Sequence, residues 1–191
     1  HVVLATHADR ALELIEQPTA AEARVLGCFR YNRNEVVLHS DPALMPRRQS
    51  VWSSWNYVGE SRGPGVERLT VTYWMNLLQN LKSERPLFVT LNPDREPRPE
   101  MVHKTMMFEH PVMNRDAMAA QRELWSLQGE GGLWFAGAHF GAGFHEDGLQ
   151  AGLAVAEQMT GARRPWTVNA PSGRIFLETG KARGAVKEMA A

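Results

Sequence analysis

The chain has 191 residues, its 21 Lys and Arg balance its 21 Asp and Glu, and 43% of it is hydrophobic. That composition excludes a globally disordered chain and supplies no basic field to draw in a phosphate backbone, so no nucleic-acid partner is expected. A lone cysteine, Cys28, excludes an intramolecular disulfide and a cysteine zinc cluster.

No apolar run approaches the ~20 residues of a membrane span, and no signal-peptide pattern opens the sequence, so a cytoplasmic location is the expectation. The chain begins directly in His1-Val-Val-Leu-Ala5, a buried-strand pattern, which points to the C-terminal part of something longer. After Val2 to Ala5 comes a polar turn, Thr6-His7-Ala8-Asp9, and a helix over about Arg10 to Ile15, ended by Gln17-Pro18. Thr19, with Glu22 three residues on, predicts a capping box for a second helix from Ala20 to about Gly27.

From Phe29 to His39 the pattern turns to alternation, with Glu35 to His39 the clearest strand. Trp52-Ser-Ser-Trp-Asn-Tyr57 and Leu69-Thr-Val-Thr-Tyr-Trp74 flank a Gly- and Pro-rich turn, Gly59 to Val66, and read as an antiparallel hairpin with an aromatic face. Leu87 to Leu91 is a further strand and Pro93 to Pro99 a surface loop. Val102 to Glu109 reads as a strand, and a helix starts at Asn114 and runs through Met118, Gln121 and Leu124. Leu133 to Ala136 is an apolar strand; a glycine-rich loop, Gly137 to Gly148, follows it and leads into an amphipathic helix, Leu149 to Met159. The tail after Gly161 reads as a surface strand or partly disordered.

A loop with Gly137, Gly141, Gly143 and Gly148 between strand and helix lets a backbone come close to a ligand. The Gly148 and Leu149 amides at the helix start would favour a phosphate or an electron-rich ring oxygen, and Gly152 would allow tight helix packing. A tight structural turn explains the same glycines equally well, since the spacing is neither GxGxxG nor a P-loop.

Phe135-Ala-Gly137, the loop, and Asp147-Gly-Leu-Gln-Ala-Gly152 resemble the C-terminal FAD-binding motif of flavin amine oxidases and their relatives. Val2-Val-Leu-Ala-Thr6 resembles that family's strand leading out of the FAD domain. Phe29-Arg-Tyr31, Trp52 to Tyr57, Thr72-Tyr-Trp-Met-Asn76 and Phe144-His-Glu-Asp-Gly148 resemble a bacterial subgroup of predicted NAD/FAD-binding proteins, whose domains occur joined to cyclopropane-fatty-acid synthases in plants. The resemblance implies an α/β fold: a mixed-sheet substrate domain (16–127) set between a first FAD-domain segment (1–15) and the final strand-loop-helix of a Rossmann-like FAD domain (128–162), with a tail (163–191). It implies FAD as cofactor, touched by Thr6, Gly137, Ala138, His139, Phe144, Asp147, Gly148 and Leu149, with His7 near the adenosine side or the domain crossover. Ala138 stands where the family carries an acidic residue, and the N-terminal dinucleotide fingerprint is not among these residues. A missing N-terminal FAD-binding segment is therefore an expected partner.

Trp52, Trp55, Tyr57, Tyr73 and Trp74 as a group point to an apolar small-molecule or lipid substrate, although for any single ring the favoured reading is structural, with half of them filling the core and the rest partly exposed. His139, His145 and Glu146 lack metal-ligand spacing, so no metal is expected, and Ser53, Ser54 and Ser172 lack a nucleophile elbow. No catalytic side chain is assigned; His145 or Glu146 facing the flavin would move protons. Arg47-Arg48 and Arg163-Arg164 read as solvated surface or as a peripheral contact with anionic lipid. The function implied is FAD-dependent dehydrogenation of a C–N or C–C bond in an apolar amine or acyl substrate. The alternative is a non-catalytic split domain that needs its FAD-binding half.

Overall fold

The computed structural model describes the backbone of residues 1–61 and 67–177, and their side chains apart from those of 60–61 and 67–69. In chain order the elements are β1 (Val2–Leu4), α1 (Ala8–Glu13), α2 (Ala20–Leu26), β2 (Arg30–His39), β3 (Trp55–Ser61), β4 (Glu67–Trp74), α3 (Met75–Leu78), β5 (Phe88–Leu91), β6 (Val102–Val112), α4 (Arg115–Ala120), β7 (Leu133–Phe135) and α5 (His145–Thr160). The fold is mixed α/β, with a two-stranded parallel sheet and a separate five-stranded sheet. It divides into two compact units: residues 1–31 with the chain from Pro111 onward, and residues 32–110.

The first unit is built around β1 and β7, which pair in parallel with Val2 opposite Leu133 and Leu4 opposite Phe135. Two strands alone make a weak sheet, and helices supply the rest of the core. The side chain of Thr19 accepts the Glu22 N–H at 3.2 Å while the Glu22 carboxylate accepts the Thr19 N–H at 2.7 Å, so the capping box fixes the start of α2. Val25, Leu26 and Phe29 then join Ala8, Ala117, Leu124, Phe135, Phe140, Ala151 and Val155 in one buried cluster. Residues 16–31 and 111–127, expected with the substrate domain, thus fall in the first unit, because their apolar side chains are part of its core.

Gln128 closes the outer edge of β7: its amide donates to the Phe135 carbonyl at 2.7 Å and accepts the Phe135 N–H at 2.8 Å. The neighbouring Gly129 N–H reaches the Leu133 carbonyl at 2.7 Å. The helix expected from Asn114 to Leu124 stops at Ala120, and a 3-10 turn covers Leu124–Leu127. Residues 163–177 form no strand. They are tied down by Arg164, whose guanidinium meets Glu157 at 2.6 Å, and by buried Ile175; the expected tail from 178 onward lies outside the described residues.

In the second unit the strand order is β3-β4-β5-β2-β6, and β3–β4, β4–β5 and β5–β2 are antiparallel. The hairpin expected from the alternation is present, with Trp55 opposite Tyr73 and Tyr57 opposite Val71; residues 62–66 of its turn lie outside the described residues. One face carries Trp55, Tyr57 and Tyr73. The other carries Asn56, Thr72, Trp74, Phe88 and Thr90 and is covered by the segment after β2.

This covered face is unusually polar, and its histidine, threonine, asparagine and aspartate side chains are paired, whereas the buried Trp74 indole N–H has no hydrogen-bond partner among the described residues. Asp41 donates its N–H to His39 Nδ1 at 3.1 Å, which leaves Nε2 as the protonated nitrogen of the neutral ring, donating to Thr90 Oγ1 at 2.7 Å. Burial pushes the His39 pKa down, in keeping with that neutral form. Asp41 is 1% exposed and takes three donors from Arg98, the backbone N–H, Nε and an Nη, at 2.9 to 3.2 Å. Against the cost of burial, these bonds hold its carboxyl far below the usual carboxylate range.

Candidate cofactor edge

The carboxyl ends of β1 and β7 lie side by side, with the Ala136 N–H donating to the Leu4 carbonyl at 3.1 Å. Both strands run directly into helices, β1 through Thr6-His7 to α1 and β7 through the glycine loop to α5. A Cβ on Gly137 would stand 3.3 Å from the Thr6 carbonyl oxygen, and one on Gly148 would stand 3.5 Å from the Ala138 nitrogen. Thr6, Gly137, Ala138 and Gly148 are therefore brought together at one edge, with Leu149 beside them. Thr6 and Leu149 are exposed, and Gly137, Ala138 and Gly148 are half-buried.

The glycines of the loop are explained by crowding within the protein. A Cβ on Gly137 would collide with His139 at 2.7 Å, and one on Gly141 with the Asp147 carboxylate at 2.6 Å and the Arg174 carbonyl at 2.9 Å. Gly143, at φ +91°, would press on Met113 and Pro111. Gly152, expected to allow tight packing, instead has open space beside it among the described residues. The free amides expected at Gly148 and Leu149 are also displaced, because α5 begins four residues earlier and the Gly148 N–H bonds to the Phe144 carbonyl at 3.3 Å.

Asp147 accounts for the early start. Fully buried, it accepts the Phe144 N–H at 2.8 Å and the Arg174 Nε–H at 2.6 Å. Arg174 also donates its backbone N–H to Gln150 at 3.1 Å and lies over the Phe144 ring at 5.9 Å. Gln121, 7% exposed, donates to the carbonyls of His139 and Gly141, pinning the loop from α4's side. Arg174, Gln121 and Gln128 carry no local sequence signal, since each acts on backbone or a carboxylate remote in the chain.

His139 is buried at 3% exposure, edge-on to Phe29 with ring centroids 5.4 Å apart, and its Nε2 has no hydrogen-bond partner among the described residues. Burial, with His7 nearby, pushes its pKa down to about 4, so the ring is neutral at ordinary pH. His7 stacks on Tyr31 at 4.2 Å, and the Tyr31 hydroxyl accepts the Ala8 N–H at 3.0 Å. Of the expected cofactor residues, His139 and Asp147 thus direct their side chains into the unit, and Phe144 is 64% exposed. His145 and Glu146 are exposed on the first turn of α5, Glu146 accepting from Gln150 at 2.9 Å. Among the described residues no three His, Cys, Asp or Glu side chains are placed to hold a metal ion.

In the second unit the five rings expected to line a substrate cavity separate. Trp55 and Tyr57, 54% and 65% exposed, share a face with Tyr73. Trp74 points to the opposite face, where Trp52 meets it edge-on at 5.4 Å. Trp52 is not in a strand: it follows a 3-10 turn, and its indole donates to the Pro46 carbonyl at 2.7 Å, so it belongs to the covering segment. No helix of the described residues is long and apolar enough to cross a membrane. No protein-family model matches the chain, and no curated protein matches it.

Proposed function

We propose that this chain is part of an FAD-dependent oxidoreductase that dehydrogenates a C–N or C–C bond of an apolar amine or acyl substrate. The observation that carries the reading is the parallel β1–β7 pair, whose two carboxyl ends meet at Thr6 and Gly137 with α1 and α5 beginning beyond them. Open α/β sheets bind cofactors outside the carboxyl ends of their strands. The residues there fit a flat, extended group: Gly137, Ala138 and Gly148 offer backbone without bulk, and Thr6 and Leu149 are exposed beside them. Ala138 brings no carboxylate, so contacts to a ribityl or phosphate group would come from main chain and Thr6. The flavin, when bound, would supply the electron-accepting chemistry, and these residues would hold and orient it.

The same reading includes a polypeptide segment beside β1. Val2 and Val3 are 53% and 42% exposed, and among the described residues no strand pairs with the outer edge of β1. On the second unit, Trp55, Tyr57 and Tyr73 offer an aromatic surface suited to an apolar substrate. The test is an FAD titration of this chain and of the longest polypeptide encoded by its reading frame, followed by visible absorption. Retention of flavin by the longer protein, with bleaching by an amine or acyl substrate, is the expected result. A longer protein that neither retains flavin nor quenches its fluorescence would overturn the assignment and leave the glycine loop as a structural turn.

A further inference from the structure

The last residue of β2 is a fully buried histidine with both ring nitrogens committed. Nδ1 of His39 accepts the Asp41 N–H at 3.1 Å, Nε2 donates to Thr90 Oγ1 at 2.7 Å, and Thr72 Oγ1 lies 2.8 Å beyond Thr90. An Nδ1 that accepts a hydrogen bond carries no proton, so this arrangement holds only for the neutral ring. Burial opposes a charge at the same place.

The Asp41 N–H is also where the segment covering this face begins, and the Asp41 carboxylate fastens the same point. Its Oδ1 accepts from the Ala43 N–H at 3.0 Å and an Arg98 Nη at 3.1 Å, and its Oδ2 from the Arg98 backbone N–H at 2.9 Å and Nε at 3.2 Å. Two carboxylate oxygens offer about four acceptor sites, and these donors occupy them. A proton added to His39 Nδ1 would thus meet the Asp41 N–H donor to donor. It could reach the Asp41 carboxylate only by displacing Arg98 or Ala43. The far end of the segment is held separately, by the Trp52 indole on the Pro46 carbonyl and by its ring edge-on to Trp74 and Phe88.

The groups whose charge bears on His39 are few. Asp41, on the covering segment, favours a charged ring; His103, on β6 with its Nε2 2.7 Å from Ser40 Oγ, opposes one; Arg98 acts through Asp41. Thr72 from β4 and Phe88 and Thr90 from β5 are uncharged neighbours.

We propose that the segment from Asp41 to Trp52 is an acid-released strap: protonation of His39 at Nδ1 undoes the Asp41 fastening and uncovers Asn56, Thr72 and Thr90 while the sheet beneath stays paired. All of these residues belong to the second unit, so the device does not depend on a flavin. In the released form His39 stands in water with its ordinary pKa of 6.5. Closure is therefore favoured in full above that pH and is lost progressively as the pH falls below it.

The test is native-state hydrogen exchange of the whole chain, read amide by amide from pH about 7 to about 5 and corrected for intrinsic rates. The Asp41, Ala43 and Arg98 amides lose protection several-fold on acidification, and those of β4 and β5 keep theirs. The His39 ring nitrogens, followed by their chemical shifts, titrate over the same interval. These readings need only the unaltered protein, and two variants sharpen them. His39→Asn, whose side-chain carbonyl can replace Nδ1 as acceptor but takes up no proton in this range, removes the pH dependence, whereas His103→Gln retains it. Loss of β4 and β5 protection in step with the segment would mean that the unit unfolds as a whole and would overturn the strap. Segment protection that does not change with pH, a ring titration out of step with the amides, or a response that persists in His39→Asn would overturn it equally.

Discussion

At the scale of single residues, the largest energies belong to charges and rings held out of water. Asp41 and Asp147 are buried carboxylates, each matched by an arginine that is about half exposed, and each also accepts backbone N–H donors. The pair between Arg24 and Glu123, both well exposed, is also close, at 2.7 Å, but is screened by water and contributes little. His139 is a different case, because its buried ring has no ionic partner and only its neutral form is tolerated. Its folded-state pKa of about 4 lies below the ordinary 6.5. Above pH about 6.5 the ring is neutral in both folded and unfolded chains, and its contribution to stability does not vary with pH. As the pH falls toward 4 the unfolded chain takes up the proton first, so stability is lost across that window, by up to about 3 kcal/mol. His139→Leu should flatten this part of the profile when urea midpoints are compared from pH about 7 down to about 4. His39, also depressed, is present in both proteins and cancels from the comparison. Parallel profiles for the two proteins would show that His139 is not the group responsible.

At the scale of elements, the loop-to-helix junction before and within α5 shows two glycines with opposite reasons for being there. Gly141→Ala would drive a methyl into the Asp147 carboxylate and the Arg174 backbone, costing roughly 1–3 kcal/mol by overpacking. Gly152→Ala meets nothing among the described residues and should stabilise α5 by roughly 0.5–1 kcal/mol through helix propensity. Denaturant midpoints moving in the same direction for both would contradict this account. How far such features could be read from sequence depends on their range. The Thr19–Glu22 box was legible because both partners lie within one turn, and the Trp55–Tyr73 hairpin because strand parity repeats every second residue. The start of α5 was not, since its fastening runs backwards from Asp147 to the Phe144 N–H, with no Ser, Thr, Asp or Asn at the position before the helix. Trp52 was misplaced for a related reason: its indole answers to the Pro46 carbonyl rather than to a strand neighbour.

At the scale of the whole molecule, the second unit is continuous in sequence, whereas the first must join residues that are far apart. His1 and Trp134, 133 positions from each other, share a 3.2 Å hydrogen bond, and among the described residues β1 pairs only with β7. Closing so long a loop is slow relative to forming hairpins. Pulse-labelled hydrogen exchange during refolding should therefore protect the amides of β3, β4 and β5 before those of β1 and β7. Protection of both sets in one phase would show that the first unit does not wait. The sealed flank of β7 bears on a different matter, the way this sheet can add strands. A chain of copies growing strand upon strand requires two exposed borders on each copy. Here the side chain of Gln128 and the Gly129 N–H occupy one of them, so among the described residues only the β1 border of this sheet is able to receive a strand. A strand seated on β1, such as the segment proposed to lie beside it, would thus leave this sheet no further described border on which a chain of copies could grow.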